Sequence, residues 1–519
     1  MTDRLNIAAA LLAFAETSPA ATALRIRADA ERRDWTYGEL AAAVRRFAGA
    51  LLQIPIAEEQ RILIALPDSA ELVVAFLGAI WAGAVPVVVN PALRADDYTF
   101  FVADTRAKLV IGTRQSIGAL EEAIDRAASR SVEAWTVAAG EEGTLWDAVR
   151  GASEARDPFP SVRDDAAFWL YSSGTTGRPK GTIHRHANIL HAVDSYGRHI
   201  LALTPRDVVY STSRMFFAYG LGASLYFPLA AGASSVLSPE PFDASRSWRL
   251  IEQERPSLLF AVPSVYRAML DLAPADADVG SSVRLCLSAG EGLPESLFEQ
   301  WRRRFGLEIV DGVGSTEALH IYLSNRPGAC RPGALGTPVP GYDVRVVDEA
   351  GRDTARGEPG RMLVRGASLA AGYWHRREAT ERAFLGEWFV TGDQAVQDED
   401  GLYRVLGRVD DMLKVSGQWV SPSDVEEAIR SVAGVADCGV VGVPDTAGLT
   451  ELVACVVATE QDASGLAASV EARCAERMPR YKRPRRVILV ASLPRTPTGK
   501  LQRFRLREMM QRVRRGELD

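Results

Sequence analysis

From about residue 60 to about residue 320 the chain alternates short β-rich runs with amphipathic stretches, and this pattern restricts the fold more than any other feature. The runs are Arg61 to Ala65, Val85 to Val89, Leu109 to Ile111, Val208 to Ser211, Ser235 to Leu237, Leu258 to Ala261 and Arg284 to Ser288. Stretches such as Glu295 to Phe305 carry apolar residues at helical spacing between them. Parallel neighbours in a sheet need a long crossover, usually a helix, so this alternation predicts an α/β region with largely parallel sheets. At 519 residues the chain is too long for one core and requires more than one domain. From about 333 to 408 glycines punctuate short strands (Tyr342 to Asp348, Gly360 to Arg365, Leu402 to Leu406), which reads as a small β-rich subdomain. Beyond Arg408 a separate small α+β unit is expected: helix Ser423 to Ser431, strands Cys438 to Val443 and Leu452 to Ala458, helix Ala467 to Met478, strand Arg486 to Leu489.

Two segments imitate membrane signals. Leu72 to Val89 carries no charge, but Gly78, Gly83 and Pro86 interrupt it, so a buried helix followed by a core strand is expected. Near the N-terminus, Asp3 offsets Arg4 and Glu16 closes the apolar run from Ile7, which favours an amphipathic first helix over a signal peptide. A net charge of -6 argues against nucleic acid as a main partner. The cysteines at 286, 330, 438, 455 and 474 lack paired short spacing, so a zinc or disulfide framework is not expected and a reducing, cytoplasmic setting fits.

Only Lys108, Lys180, Lys414, Lys482 and Lys500 among the 60 basic residues are lysine. A chain this rich in arginine keeps lysine where a compact, flexible ammonium is needed. Three of the five fall within the motifs that follow.

Tyr171-Ser-Ser-Gly-Thr-Thr-Gly-Arg-Pro-Lys-Gly181 follows an apolar strand-like run, Ala166 to Leu170. Gly174, Gly177 and Gly181 allow tight turns, Ser172, Ser173, Thr175 and Thr176 add hydroxyl donors, and Lys180 adds a point charge. Together they make an anion cradle suited to the outer phosphates of ATP. It is not a Walker A loop, because no Gly-Lys-Ser/Thr closes it. Asp311-Gly-Val-Gly-Ser-Thr-Glu317 supplies bends at Gly312 and Gly314 and oxygens at Thr316 and Glu317, and a carboxylate beside phosphates is the usual holder of Mg2+. Ser288-Ala-Gly-Glu-Gly-Leu-Pro294 reads as a strand-to-helix turn. Trp388-Phe-Val-Thr-Gly-Asp393 places an acid after a turn, where a carboxylate can accept two ribose hydroxyls. Gly407 to Gly417 and Pro494-Arg-Thr-Pro-Thr-Gly-Lys500 complete the set.

In order and in residue type these segments resemble the adenylate-forming superfamily of acyl-CoA synthetases, luciferases and peptide-synthetase adenylation domains, through about residue 500. The resemblance implies a large N-terminal domain, 1–409, with two mostly parallel α/β sheets and a β-rich subdomain, and a small mobile α+β lid, 410–519, hinged at Asp410. It further implies that Thr316 contacts the adenylate phosphate, that Glu317 binds the metal, and that Ala289, Gly290 and Glu291 wall the adenine. Asp311 and Gly312 also fall on the nucleotide side. Asp393 takes the ribose, with Arg408 its partner. Lys500 bridges the attacking carboxylate and the α-phosphate during adenylation, and Lys414, with the backbone near Ser416 and Gly417, meets the substrate in the thioester-forming state.

Arg214-Met-Phe-Phe-Ala-Tyr-Gly-Leu-Gly222 is aromatic and glycine-rich, a composition that can form a flat slot for a ring. This segment and Ala-Leu-His-Ile after Glu317 look like those of bacterial benzoate-CoA and hydroxybenzoate-CoA ligases. By that resemblance Phe217, Ala218, Tyr219, Gly220, Gly314, His320 and Ile321 line the ring site. Arg214 and Ala223 depart from the benzoate pattern, where lysine and asparagine are common, so benzoate, hydroxybenzoate and aminobenzoate all stay open. The expected activity is formation of an acyl-adenylate from an aromatic acid and ATP with Mg2+, then transfer to coenzyme A. The alternative is a stand-alone enzyme that loads a carrier-protein thiol.

Overall fold

The computed structural model describes residues 4–29, 32–54, 56–127, 132–137, 142–172, 179–408, 413–415, 418–444, 450–459, 465–495 and 501–514. The chain divides into two compact units, residues 1–344 with 363–390, and residues 345–362 with 391–519.

The larger unit contains two sheets whose cores are parallel. In the nine-stranded sheet the strands run Thr337–Pro338, Ile321–Ser324, Ile309–Gly314, Leu285–Ser288, Leu258–Ala261, Val208–Ser211, Ser234–Leu237, Thr22–Arg27 and Arg32–Thr36. All pairings from Ile309–Gly314 to Thr22–Arg27 are parallel, and antiparallel strands close both edges. The seven-stranded sheet is ordered Gly372–Tyr373, Lys180–Arg185, Ala166–Ser172, Val85–Val88, Arg61–Ala65, Leu109–Thr113 and Glu133–Val137. From Ala166–Ser172 onward it too is parallel. Covered on both faces by helices, the parallel strands read as unbroken apolar runs such as Leu-Leu-Phe-Ala at 258–261, all buried.

The uncharged stretch from Leu72 becomes helix Ala70–Trp81, with every residue from Leu72 to Trp81 buried, and then strand Val85–Val88. Ser69 starts the helix by accepting from the Leu72 amide, and Glu71 complements its N-terminal dipole. Among the described residues no helix is long and apolar enough to cross a membrane. The first helix, Ile7–Leu12, buries Ile7, Ala8, Leu11 and Leu12.

A five-stranded sheet holds Tyr342–Val347, Gly360–Gly366, Trp388–Gln397, Phe384–Leu385 and Tyr403–Arg408, the β-rich texture expected there. Within the smaller unit, strands Val435–Pro444, Thr450–Ala458 and Arg486–Leu489 form a sheet. Helices Pro422–Arg430 and Leu466–Arg477 pack on it around Val425, Ile429, Val440 and Val470. All five cysteines are free thiols, four of them buried.

Candidate active site

Strand Ala166–Ser172 precedes the hydroxyl-rich segment and strand Lys180–Arg185 follows it, the two pairing antiparallel with Ser172 opposite Lys180 and Tyr171 opposite Gly181. Loops at the carboxyl ends of strands in open α/β sheets are where ligands are bound. Ser173, Gly174, Thr175, Thr176 and Gly177 lie outside the described residues, while both limbs of the turn are described.

Lys180 places its ammonium 4.8 Å above the Tyr373 ring. The Tyr373 hydroxyl donates to Glu317 Oε1 at 2.8 Å, and the Glu317 carbonyl accepts from the Ala370 amide at 2.8 Å. His184 Nε2 lies 2.8 Å from the Thr316 carbonyl, and its ring stacks on Phe168 at 5.1 Å. Burial is the main cause that pushes the His184 pKa down to about 4, so the neutral ring donates through Nε2. Lys180, Glu317 and Thr316, predicted for the phosphates and the metal, are thus tied together by two residues the sequence did not mark, Tyr373 and His184. Glu317 has one oxygen held by a hydroxyl and is 9% exposed. That is a hard oxygen donor near an ammonium, and it fits Mg2+ with a polyphosphate.

The Asp311–Glu317 motif begins within strand Ile309–Gly314. This strand is parallel to Leu285–Ser288 on one side and antiparallel to Ile321–Ser324 on the other, with a register shift at Val313 and Gly314. A Cβ at Gly314 would stand 2.3 Å from the His320 carbonyl, which explains glycine at that bend. Asp311 is buried opposite Ser288, and its Oδ1 has no hydrogen-bond partner among the described residues. Desolvation pushes its pKa up to about 7, while the nearby Ser288 hydroxyl and Gly312 amide pull the other way. Past Ser288, Ala289 is buried and Gly290 has φ +89°, so the backbone turns sharply. Glu291 accepts from the Ser264 amide and hydroxyl, both at 3.1 Å.

Of the residues expected at the ring site, Tyr219 lies against His320, and Gly314 lies against His320 and Ile321. Phe217 precedes the short helix Ala218–Leu221, which continues as a widened π-type turn over Gly222–Tyr226. His320 stands 5.5 Å from the Tyr219 ring, 5.0 Å from Tyr196 and 4.7 Å from Phe227, and Tyr219 meets Phe260 at 5.7 Å. Neither His320 ring nitrogen has a hydrogen-bond partner of good geometry among the described residues. Burial pushes its pKa down to about 3, with a small opposing pull from the Tyr219 backbone, so the ring is neutral in ordinary buffers. Ala218 and Ile321 are buried beside it. A Cβ at Gly220 would meet the Arg214 carbonyl at 2.1 Å, and one at Gly222 would meet His320 Cδ2 at 2.6 Å. Arg214 faces the carbonyls of Ser238 and Glu240 and lies 3.8 Å from buried Asp68, whose other oxygen accepts from the Met215 amide. It therefore anchors the aromatic segment. Tyr196, Phe227 and Phe260 were not foreseen, because their apolar spacing is indistinguishable from core packing.

These arrangements match known proteins. The description "AMP-binding enzyme" fits residues 11–374, and "AMP-binding enzyme C-terminal domain" fits 424–500. The chain belongs to the AMP-binding enzyme family. A relative within that family, the 4-hydroxybenzoate-CoA/benzoate-CoA ligase of Rhodopseudomonas palustris, is 40% identical over 92% of this chain and 89% of its own length. The crystal structure of a benzoate CoA ligase from Burkholderia xenovorans LB400 superposes with a TM-score of 0.88 at 39% identity, covering 97% of this chain and 100% of that one. The anthranilate CoA ligase AuaEII, solved in complex with anthranoyl-AMP, superposes with a TM-score of 0.91 at 34% identity and covers 98% of both chains.

The family motifs in the smaller unit are partly described. Asp393 Oδ1 accepts from Arg408 Nη1 at 3.0 Å, and the two residues face each other across paired strands. Arg408 also donates to the Thr391 carbonyl at 2.7 Å. Gly392, at φ +76°, could not carry a Cβ without meeting the Arg408 guanidinium. Asp410, Gly417, Lys500 and the side chain of Lys414 lie outside the described residues.

Proposed function

We propose that this chain is an ATP-dependent aryl-CoA ligase that converts a benzoate-type acid to its acyl-adenylate and then to the CoA thioester, releasing pyrophosphate and AMP. One observation carries the reading. Lys180, Glu317 and Thr316 are held together by Tyr373 and His184, and three residues beyond Glu317 the chain packs His320 among the rings of Tyr219, Tyr196 and Phe227. On this reading the phosphate and metal residues adjoin a cluster of aromatic side chains that would receive the ring. Kinship at 40% identity with a ligase named for 4-hydroxybenzoate and benzoate supports the same substrate class.

A carboxylate has no good leaving group until its oxygen attacks the α-phosphorus of ATP and expels pyrophosphate. Two anions must meet, so the protein's work is positioning and charge neutralisation. In this proposal Lys180 and the hydroxyls at 172–176 hold the outer phosphates. Thr316 contacts the adenylate phosphate, and Ala289 to Glu291, with Asp311 and Gly312, border the base. Asp393, steadied by Arg408, takes the ribose hydroxyls, and Lys500 bridges carboxylate and α-phosphate. Mg2+, held by Glu317, would neutralise phosphate charge. The aromatic slot orients the acid, with Phe217, Ala218, Tyr219, Gly220, Gly314, His320 and Ile321 against the ring. For the second half-reaction the 410–519 domain turns about Asp410, withdraws Lys500 and brings Lys414 and Gly417 into play. The thiol then attacks the acyl carbon and AMP leaves, with no cysteine of the chain taking part. A cytoplasmic location fits a chain of this chemistry. Aroyl-CoA formation from ATP, Mg2+, CoA and substituted benzoates, followed by mass, tests the proposal; AMP release that no aromatic acid stimulates would refute it.

A further inference from the structure

Asp104 lies near the end of helix Ala95–Thr105, far in sequence from every motif above, yet it joins both limbs of the phosphate-binding turn. Its Oδ2 accepts from the Tyr171 hydroxyl at 2.7 Å, on the strand that enters the turn. Its carbonyl accepts from Trp374 Nε1 at 2.9 Å, and the Trp374 amide in turn donates to the Gly181 carbonyl at 2.8 Å, on the strand that leaves it. Its Oδ1 pairs with Arg376 at 2.7 Å, and its side chain is 10% exposed. The Tyr171 ring is further fixed edge-on by Phe101 at 4.7 Å and lies against Gly181, where a Cβ would reach Tyr171 Cζ at 3.3 Å. Both carboxylate oxygens are thus used, one to hold the entering limb and one to hold the segment that grips the leaving limb.

We infer that Asp104 is a positioning residue for ATP, fixing the spacing of strands Ala166–Ser172 and Lys180–Arg185 on either side of residues 173–178. A charge-assisted pair of this kind is stronger than a neutral hydrogen bond, and a cradle of backbone and hydroxyl donors works only when its ends are held. Desolvation first, and the Asp104 charge second, push the Tyr171 phenol up, so it remains a donor at working pH. The inference rests on the reading of residues 171–181 as the ATP phosphate site.

The test compares full-length wild type, Asp104→Asn, Asp104→Glu and Tyr171→Phe. Titration with a fluorescent ATP analogue reads nucleotide affinity without turnover, and steady-state and single half-reaction assays accompany it. Asp104→Asn is expected to weaken ATP binding and raise the KM for ATP about tenfold, the size of one lost charged hydrogen bond. The KM for CoA and the rate of thioester formation from supplied aroyl-adenylate are expected to stay at wild-type values. Asp104→Glu restores part of the affinity, and Tyr171→Phe loses less than Asp104→Asn because one limb stays tied. ATP affinity within twofold of wild type in both Asp104→Asn and Tyr171→Phe overturns the inference, as do equal losses in the two half-reactions. If Asp104→Asn fails to fold, the Tyr171→Phe affinity decides. A wild-type chain that binds the analogue but activates no aromatic acid contradicts the aryl-ligase reading instead, and the affinity comparison still decides the role of Asp104.

Discussion

The Tyr373 hydroxyl donates to Glu317 Oε1 at 2.8 Å while the same ring lies 4.8 Å beneath the Lys180 ammonium. One tyrosine therefore orients the carboxylate proposed for Mg2+ and steadies the cation proposed for phosphate. Tyr373→Phe keeps the ring and removes the hydroxyl. Loss of a hydrogen bond to a nearly buried carboxylate costs roughly 1.5 kcal/mol, so adenylate formation should slow about tenfold and need more Mg2+. Pyrophosphate release titrated with Mg2+ checks this, and an unchanged Mg2+ dependence would count against the arrangement.

A methyl at position 222 would approach His320 Cδ2 to 2.6 Å in a site already closed by Tyr219, Tyr226 and Phe227. Gly222→Ala should push the imidazole toward the slot, costing about 1–3 kcal/mol of stability and favouring smaller ring substituents. His320→Ala should enlarge the slot and shift acceptance toward larger ones. Relative kcat/KM over ortho, meta and para hydroxy- and aminobenzoates reads both changes. Identical profiles for wild type and both variants would remove His320 from the ring site.

Asp311 has its pKa pushed up to about 7 in the folded chain, chiefly by burial, against an ordinary value of 3.8. Its folded-state proton stabilises fully below the unfolded pKa, and that contribution is lost as pH rises from 3.8 through about 7. Asp311→Asn stays neutral and removes the slope, which is at most about 1.4 kcal/mol per pH unit. Melting curves from pH 4 to 8 should show the variant gaining on wild type up to about pH 7 and then running parallel to it. Parallel curves throughout would mean the carboxyl is not desolvated.

Much of the fold was legible because periodicity is a local property. Arg61–Ala65, Leu258–Ala261 and helix Glu295–Phe305 fall where their apolar spacing put them. The glycine-hydroxyl turn and the Asp311–Glu317 motif were legible because chemistry is concentrated in consecutive residues. What holds them was not. Tyr373 reaches Glu317 across 56 residues and Tyr171 reaches Asp104 across 67, and such pairings arise only when sheet order is known. The change of strand Ile309–Gly314 from parallel pairing on one side to antiparallel on the other was hidden for the same reason, since glycine bends alone do not say which strands flank them. Arg214 departs from the benzoate pattern, and what it does became visible only in the structure: it ties the aromatic segment to the carbonyls of Ser238 and Glu240.

The two half-reactions separate the proposed roles of the lysines. Lys500→Ala should slow acyl-adenylate formation by roughly 100-fold or more, the cost of losing one preorganised charge at the reacting phosphate. It should leave thioester formation from supplied aroyl-adenylate intact, whereas Lys414→Ala should weigh on that second step. Equal loss in both half-reactions for Lys500→Ala would refute the division.

The central claim is that a metal-and-phosphate site and a ring slot act on one aromatic acid. The most direct measurement follows pyrophosphate, AMP and thioester mass in parallel, with wild-type protein, ATP, Mg2+, CoA and a panel of benzoates, phenylacetates and fatty acids. The account predicts equal yields of AMP and aroyl-CoA that depend on a benzoate-type acid. Thioester formed only from fatty acids, or AMP released without any acid, would contradict it.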